Sequence, residues 1–127
     1  MNKIAFLIVT FLVITSCSLK DDDCYYEIYS PVTAVSGPET TSVNTNVQIQ
    51  VTHAPQRACS EFLEFEKTTN GNTTTSRVVN AGNDCVCDLT VSTQVSIYNF
   101  TATTPGTYTL EFFGVSTNLI THTIVVE

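Results

Sequence analysis

The sequence predicts an all-β domain: two packed antiparallel sheets, a sandwich stapled by disulfides. Three observations predict it. From Val32 onward, short runs rich in Val, Ile, Thr, Tyr and Phe alternate with clusters of Gly, Pro, Asn and Ser, the rhythm of strands and turns. No window repeats its apolar residues at the 3.6-residue period of an amphipathic helix. Cysteine occurs five times in 127 residues. Staples matter at this length, because a domain this small buries only about two-thirds of the surface its unfolded chain exposes.

Residues 46–53 alternate cleanly, with Val47, Ile49 and Val51 on one face and Gln48, Gln50 and Thr52 on the other. Such a strand buries one face and wets the other. Residues 59–67 form the next strand, placing Cys59, Glu61, Leu63 and Phe65 on one face and Phe62, Glu64 and Glu66 on the other. A strand over 74–79 follows. Asn70-Gly71 lies between the two, and because Asn and Gly tolerate positive φ it is expected to close a hairpin. Three more strands are expected at 95–102, 107–113 and Leu119–Val126. In 107–113, Tyr108, Leu110 and Phe112 share a face, and residues 114–118 turn the chain into the last strand.

Asn2 and Lys3 precede eleven uncharged residues, 4–14, and then Ile14-Thr15-Ser16-Cys17. A short positive start before an apolar core is the pattern of a signal peptide. A bilayer-spanning helix needs about 20 apolar residues, so this run is too short to be the anchor. The four residues ending at Cys17 resemble the lipobox of bacterial lipoproteins, with Ile14 where that family most often has Leu. The resemblance implies that residues 1–16 are a lipoprotein signal peptide, that diacylglycerol is attached to the Cys17 thiol, and that the new amine is acylated as well. Each buried CH₂ contributes about 0.8 kcal/mol, so more than one acyl chain holds the protein stably on a membrane. The alternative is an ordinary secretory signal with Cys17 incidental.

Residues 17–23 read as a lipidated, charged tether. Within it, Lys20, Asp21, Asp22 and Asp23 resemble the lipoprotein export signal of Bacteroidota, which implies display on the outer face of the outer membrane. A periplasm-facing protein is the alternative. With Cys17 assigned to lipid, Cys24, Cys59, Cys85 and Cys87 remain, an even number for an oxidising compartment. In an extended Cys85-Val86-Cys87 segment the two side chains lie about 7 Å apart along the strand, whereas bonded cysteines hold their Cβ atoms about 3.8 Å apart. One of the pair is therefore expected to reach Cys59 and the other Cys24, in either assignment. A metal site built from Cys85 and Cys87 with His53 or His122 is the competing reading, but the C-x-x-C spacing of zinc proteins is missing.

Pro105-Gly106-Thr107-Tyr108-Thr109-Leu110 resembles a stretch common in bacterial immunoglobulin-like domains. The resemblance covers residues 32–127. It implies an immunoglobulin-like sandwich occupying residues 24–127 and a tyrosine corner in which Tyr108 bonds back to the upstream backbone. Activity does not follow from it, since sandwiches host many unrelated functions.

Once residues 1–16 are removed, Lys20, Arg57, Lys67 and Arg77 stand against twelve acidic side chains, a formal charge of −8. No basic patch is available for phosphates, so nucleic acid is not an expected partner. No G-x-S-x-G elbow or phosphate-binding glycine loop occurs. His53 and His122 read as hydrogen-bonded residues at a core edge. Glu61, Glu64 and Glu66 could supply a carboxylate pair for glycoside cleavage, but a solvated strand face is the plainer reading. Asn83, Asp84 and Asp88 offer oxygens for calcium without the spacing of a recognised loop. Tyr25, Tyr26 and Tyr29 either pack on the sandwich or form a surface for stacking sugars or docking protein. The expectation is a membrane-anchored, non-catalytic binding or accessory module without cofactor, contacting a surface protein or a glycan. Its alternatives are a structural subunit of an envelope complex and a small polysaccharide hydrolase.

Overall fold

The computed structural model of the protein describes residues 24–89 and 92–127. The described residues form nine strands: β1 (Tyr26–Ser30), β2 (Val32–Ser36), β3 (Thr40–Thr41), β4 (Val47–His53), β5 (Glu61–Asn70), β6 (Thr73–Gly82), β7 (Gln94–Phe100), β8 (Gly106–Phe113) and β9 (Leu119–Val126). No helix is present among the described residues. The strands form two sheets, one ordered β2-β4-β7 and the other β1-β6-β8-β9-β3, with β5 also paired to β6.

The all-β, two-sheet expectation agrees with the structure, but the wholly antiparallel one does not. β6 runs parallel to β8, and β3 runs parallel to β9. The reason is topological. Parallel neighbours need a crossover rather than a tight turn, and β7, which lies in the other sheet, is the crossover between β6 and β8. Similarly, β1 and β2 are separated only by Pro31, yet they belong to different sheets. Proline fixes φ and donates no backbone hydrogen bond, so it suits the point where a strand leaves its ladder. Beyond it, the Pro31 carbonyl accepts from Ala54 N at 2.9 Å.

β4 behaves as its alternation predicts. Ile49 and Val51 are fully buried, while Gln48 and Gln50 are exposed. The opposing sheet contributes Val78 of β6, Leu110 and Phe112 of β8, and Ile124 and Val126 of β9 to the same core. At its centre the Tyr98 and Phe112 rings meet edge to face at 5.4 Å, and Phe65 closes on Tyr98 at 5.1 Å. Aromatic pairs favour this arrangement because a positive ring edge meets a negative face.

The β5–β6 hairpin differs from expectation by one residue at its turn and more consequentially in its register. Asn70 pairs with Thr73, so the two-residue loop is Gly71-Asn72 and not Asn70-Gly71. Gly71 takes the first central position with φ 61°, as a type II′ turn requires. Asn72 is then free to bind β8: its side-chain amide donates to the Thr107 carbonyl at 3.2 Å, and its own carbonyl accepts from Thr109 N at 2.9 Å.

Further along, the pairing shifts between Phe62, opposite Asn80, and Glu64, opposite Val79. Leu63 is the extra residue of a β-bulge, and a bulge turns the residues beyond it to the other face. Phe62 and Phe65 therefore meet, with ring centroids 4.8 Å apart. Cys59, expected inside this strand, lies in the turn before it.

At the other end of the domain the expected tyrosine corner is present. The Tyr108 hydroxyl donates to the Thr104 carbonyl at 2.8 Å, and its ring packs against Phe100 at 5.4 Å. Gly114 N donates to the Asn118 carbonyl at 2.8 Å, closing the last hairpin where the sequence placed it.

Candidate functional site

The residues proposed for lipidation and export, Cys17 and Lys20 to Asp23, lie outside the described residues. The four remaining cysteines are paired, Cys24 with Cys85 and Cys59 with Cys87, their Cα atoms 4.9 and 5.8 Å apart. Neighbouring Cys85 and Cys87 thus reach two different elements, the start of β1 and the turn before β5, from a bent segment. Their sulfurs are committed to disulfides, which removes the thiolate ligands of the competing metal reading. Asp84 and Asp88 flank this stapled segment on the surface.

His53 is buried more deeply than a core edge. It is 0% exposed, with Ser30 Oγ 2.8 Å from Nδ1 and Ser96 Oγ 3.0 Å from Nε2. Ser30 and Ser96 are themselves only 2% and 6% exposed, so this Ser–His–Ser chain is closed to any substrate. It joins the end of β1 to β4 and β7, satisfying polar groups that would otherwise be costly inside a core.

Burial lowers the His53 pKa below its ordinary value of 6.5. The folded protein then favours neutral imidazole, whereas the unfolded chain takes up a proton near pH 6.5. Stability is therefore full above that pH and declines as pH falls from there toward the folded pKa. The expected result is a urea midpoint that drops between pH 7 and pH 5 in the wild type and drops less in His53→Gln. A wild-type midpoint flat across that window would refute the assignment. His122 stays at the rim, with Nε2 3.0 Å from the Pro38 carbonyl.

The bulge at Leu63 also relocates a carboxylate. Glu61 lies opposite Ala81, Glu64 opposite Val79 and Glu66 opposite Arg77. Alternate residues of β6 share a face, so all three glutamates stand on the outer face of the larger sheet, whereas the unbulged strand would put Glu61 on the far side. β1 continues this face: Glu27 pairs with Ala81 and Tyr29 with Val79.

The tyrosine cluster divides. Tyr26 lies over Gly82, where a side chain would collide with the ring, and Arg57 covers it at 4.5 Å. Tyr25 and Tyr29 remain about half exposed, at 52% and 49%. Each phenol donates to a carboxylate, Tyr25 to Glu27 at 2.6 Å and Tyr29 to Glu66 at 2.9 Å. The hydrogen bond to Glu27 raises the Tyr25 pKa.

Tyr29 is a ridge between two depressions. On one side Glu27, Glu64 and Glu66 line a space of about 290 Å³ over Val79. On the other, a cleft of about 310 Å³ runs between Tyr29, Gln56, Arg77, Phe113 and Ser116. The cleft exists because β1 and β8 share one edge of β6. β8 pairs with Thr73 to Ser76 and β1 with Val78 to Gly82, leaving Arg77 at the gap. Its guanidinium lies 5.0 Å from the Tyr29 ring centre and 4.3 Å from that of Phe113, a cation within cation–π range of two rings.

The sequence carried one sign of this site, the aromatic cluster of Tyr25, Tyr26 and Tyr29. Arg77 gave no sign, because its neighbours come from β1 and β8. Compared with models of protein families, with curated proteins and with solved structures, the chain matches none.

Proposed function

We propose that the protein is a lipid-anchored, non-catalytic module that binds glycan at the outer face of the outer membrane. The observation that carries the binding reading is Tyr29, half exposed between a carboxylate-lined depression and a cleft holding Arg77. Sugars are recognised by the same combination: an apolar ring against which C–H groups pack, and a few polar groups placed around it. Carboxylates accept from sugar hydroxyls, and a guanidinium donates to their oxygens.

The anchor rests on the signal-peptide and lipobox pattern ending at Cys17, and surface display rests on Lys20 to Asp23. The immunoglobulin-like assignment is supported by the β2-β4-β7 sheet, by β3 alongside β9 and by the Tyr108 corner, with the parallel β6–β8 pair as a departure from that plan. An alternative role as a structural subunit of an envelope complex draws on β7, a sheet edge with exposed Val95 and Ile97, since an open edge can accept another strand. Co-purification of a stoichiometric partner from solubilised membranes would favour it.

Metabolic labelling with palmitate tests the anchor. Label is expected in the wild type and lost in Cys17→Ala, while protease shaving of intact cells removes the domain. Unchanged labelling of Cys17→Ala overturns the anchor. The binding reading fails if the purified domain retains no neutral or acidic polysaccharide, or if Tyr29→Ala leaves retention unaltered.

A further inference from the structure

We propose that Arg77 is the carboxylate-recognising residue of the cleft between β1 and β8, and that the glycan bound there carries uronic or other carboxylated sugars. This rests on the glycan-binding reading and narrows it to a ligand class. An ion pair that the strand pairing would allow does not form.

Arg77 and Glu66 are directly opposite each other on adjacent antiparallel strands, the relation in which opposite charges ordinarily attract across a sheet. The arginine instead makes no ion pair and no side-chain hydrogen bond among the described residues. Its recorded side-chain contacts are the Tyr29 and Phe113 rings. Glu66 meanwhile accepts from the Tyr29 hydroxyl, which occupies the carboxylate and steadies the ring that backs the guanidinium.

The arrangement has a chemical consequence. A guanidinium within cation–π range of two rings is held in place by them, while its N–H groups have no protein acceptor among the described residues. Five such donors in a rigid fork match a carboxylate bidentately, as a lysine ammonium does not. The cleft's 310 Å³ lies at the small end of ligand-pocket volumes, about 300 to 1,000 Å³, which suits one sugar ring and not an extended peptide. Gln56 and Ser116, both lining the cleft, can exchange hydrogen bonds with sugar hydroxyls. The described residues carry nine carboxylate side chains against Arg57, Lys67 and Arg77, so a carboxylated ligand held by Arg77 meets a net repelling background. Long-range repulsion is screened by salt, so moderate salt is expected to weaken binding far less than it would at a basic patch.

The test is titration of the folded domain, disulfides intact, with α-linked tetragalacturonate and with the neutral tetrasaccharide made by reducing its carboxyl groups, followed by heteronuclear NMR and calorimetry. The acidic oligosaccharide is expected to bind at least about tenfold more tightly than the neutral one, with the largest shifts at Arg77, Tyr29 and Phe113. Arg77→Gln and Arg77→Lys should both lose that preference, the lysine variant because it keeps charge but not the fork. Gln56→Trp, at an exposed position lining the same cleft, leaves Arg77 in the sequence and should weaken acidic-sugar binding at least about tenfold, which guards against misreading an Arg77 variant that is merely unstable. Equal binding of the two sugars, or acid preference surviving in both Arg77 variants, overturns the proposal while leaving a glycan-binding module standing. Absence of binding to either sugar, by a domain that retains other glycans through Tyr29, also overturns it. Retention of no glycan at all removes the broader reading with it.

Discussion

Phe112→Ala is expected to lower the free energy of unfolding by about 3–5 kcal/mol, the range for deleting a large aromatic side chain from a core. Phe112 is fully buried in β8 and meets Tyr98 of the opposite sheet edge to face, with Phe65 of β5 6.3 Å away. One strand from each sheet, β5 and β7, thus leans on this ring. The cost exceeds transfer of the side chain alone because the surroundings cannot collapse into the space. Tyr98 is fixed by its own ladder in β7, and Phe65 by the bulge that directs it inward. Urea titration of the variant checks this, and a loss under about 1 kcal/mol would show that the two sheets repack freely around the site.

Removing the Cys24–Cys85 bridge as Cys24→Ser with Cys85→Ser is expected to cost about 2–4 kcal/mol, and removing both bridges considerably more. A chain of this length loses roughly 10–20 °C of melting temperature for such a change. The bridge closes 61 residues of sequence and the Cys59–Cys87 bridge 28; loop-closure entropy makes the longer one the greater contributor, by well under 1 kcal/mol. Thermal melts with and without reductant, together with the paired serine variants, check the expectation. A melting temperature indifferent to reductant would mean that the sheets alone hold the domain.

Legibility in the sequence followed local periodicity and failed where tertiary geometry overruled it. β4, β8 and β9 were readable because each buries one face, so hydrophobicity alternates with the pleat. The hairpin at Gly71 was readable to within one residue, and the error came from Asn72, whose partners are on β8. β5 was readable as a strand but not in register. A bulge adds one residue without any composition of its own, and Leu63 resembles its neighbours. The same bulge carries Glu61 to the outer face.

β1 and β2 escaped notice because Pro31 divides ten residues between two sheets, leaving each piece too short for a period to show. The cysteine pairing was readable as a set, since Cys85 and Cys87 cannot readily bond to each other while extended, but the choice of partner depends on which turn each sulfur faces. Of the candidate site, Tyr25, Tyr26 and Tyr29 were visible as an aromatic cluster, whereas the alignment of Tyr29 with Glu27 and the cleft beside it were not. That cleft is a gap between two strands that abut along β6, and only the assembled topology creates it.

The Cys24–Cys85 bridge also decides how the domain carries load. A pull applied to the chain before Cys24 would otherwise peel β1 from β6 one hydrogen-bonded pair at a time, beginning at Tyr26 and Gly82, the weakest direction in which to strain a sheet. The disulfide diverts that force before it reaches β1. Tension passes through sulfur into the segment after β6, then across Cys87 to Cys59 at the head of β5, and is shared between two strands of the same sheet. The first strand of the fold, which carries Tyr29, is thereby shielded from tension that enters through the chain before Cys24.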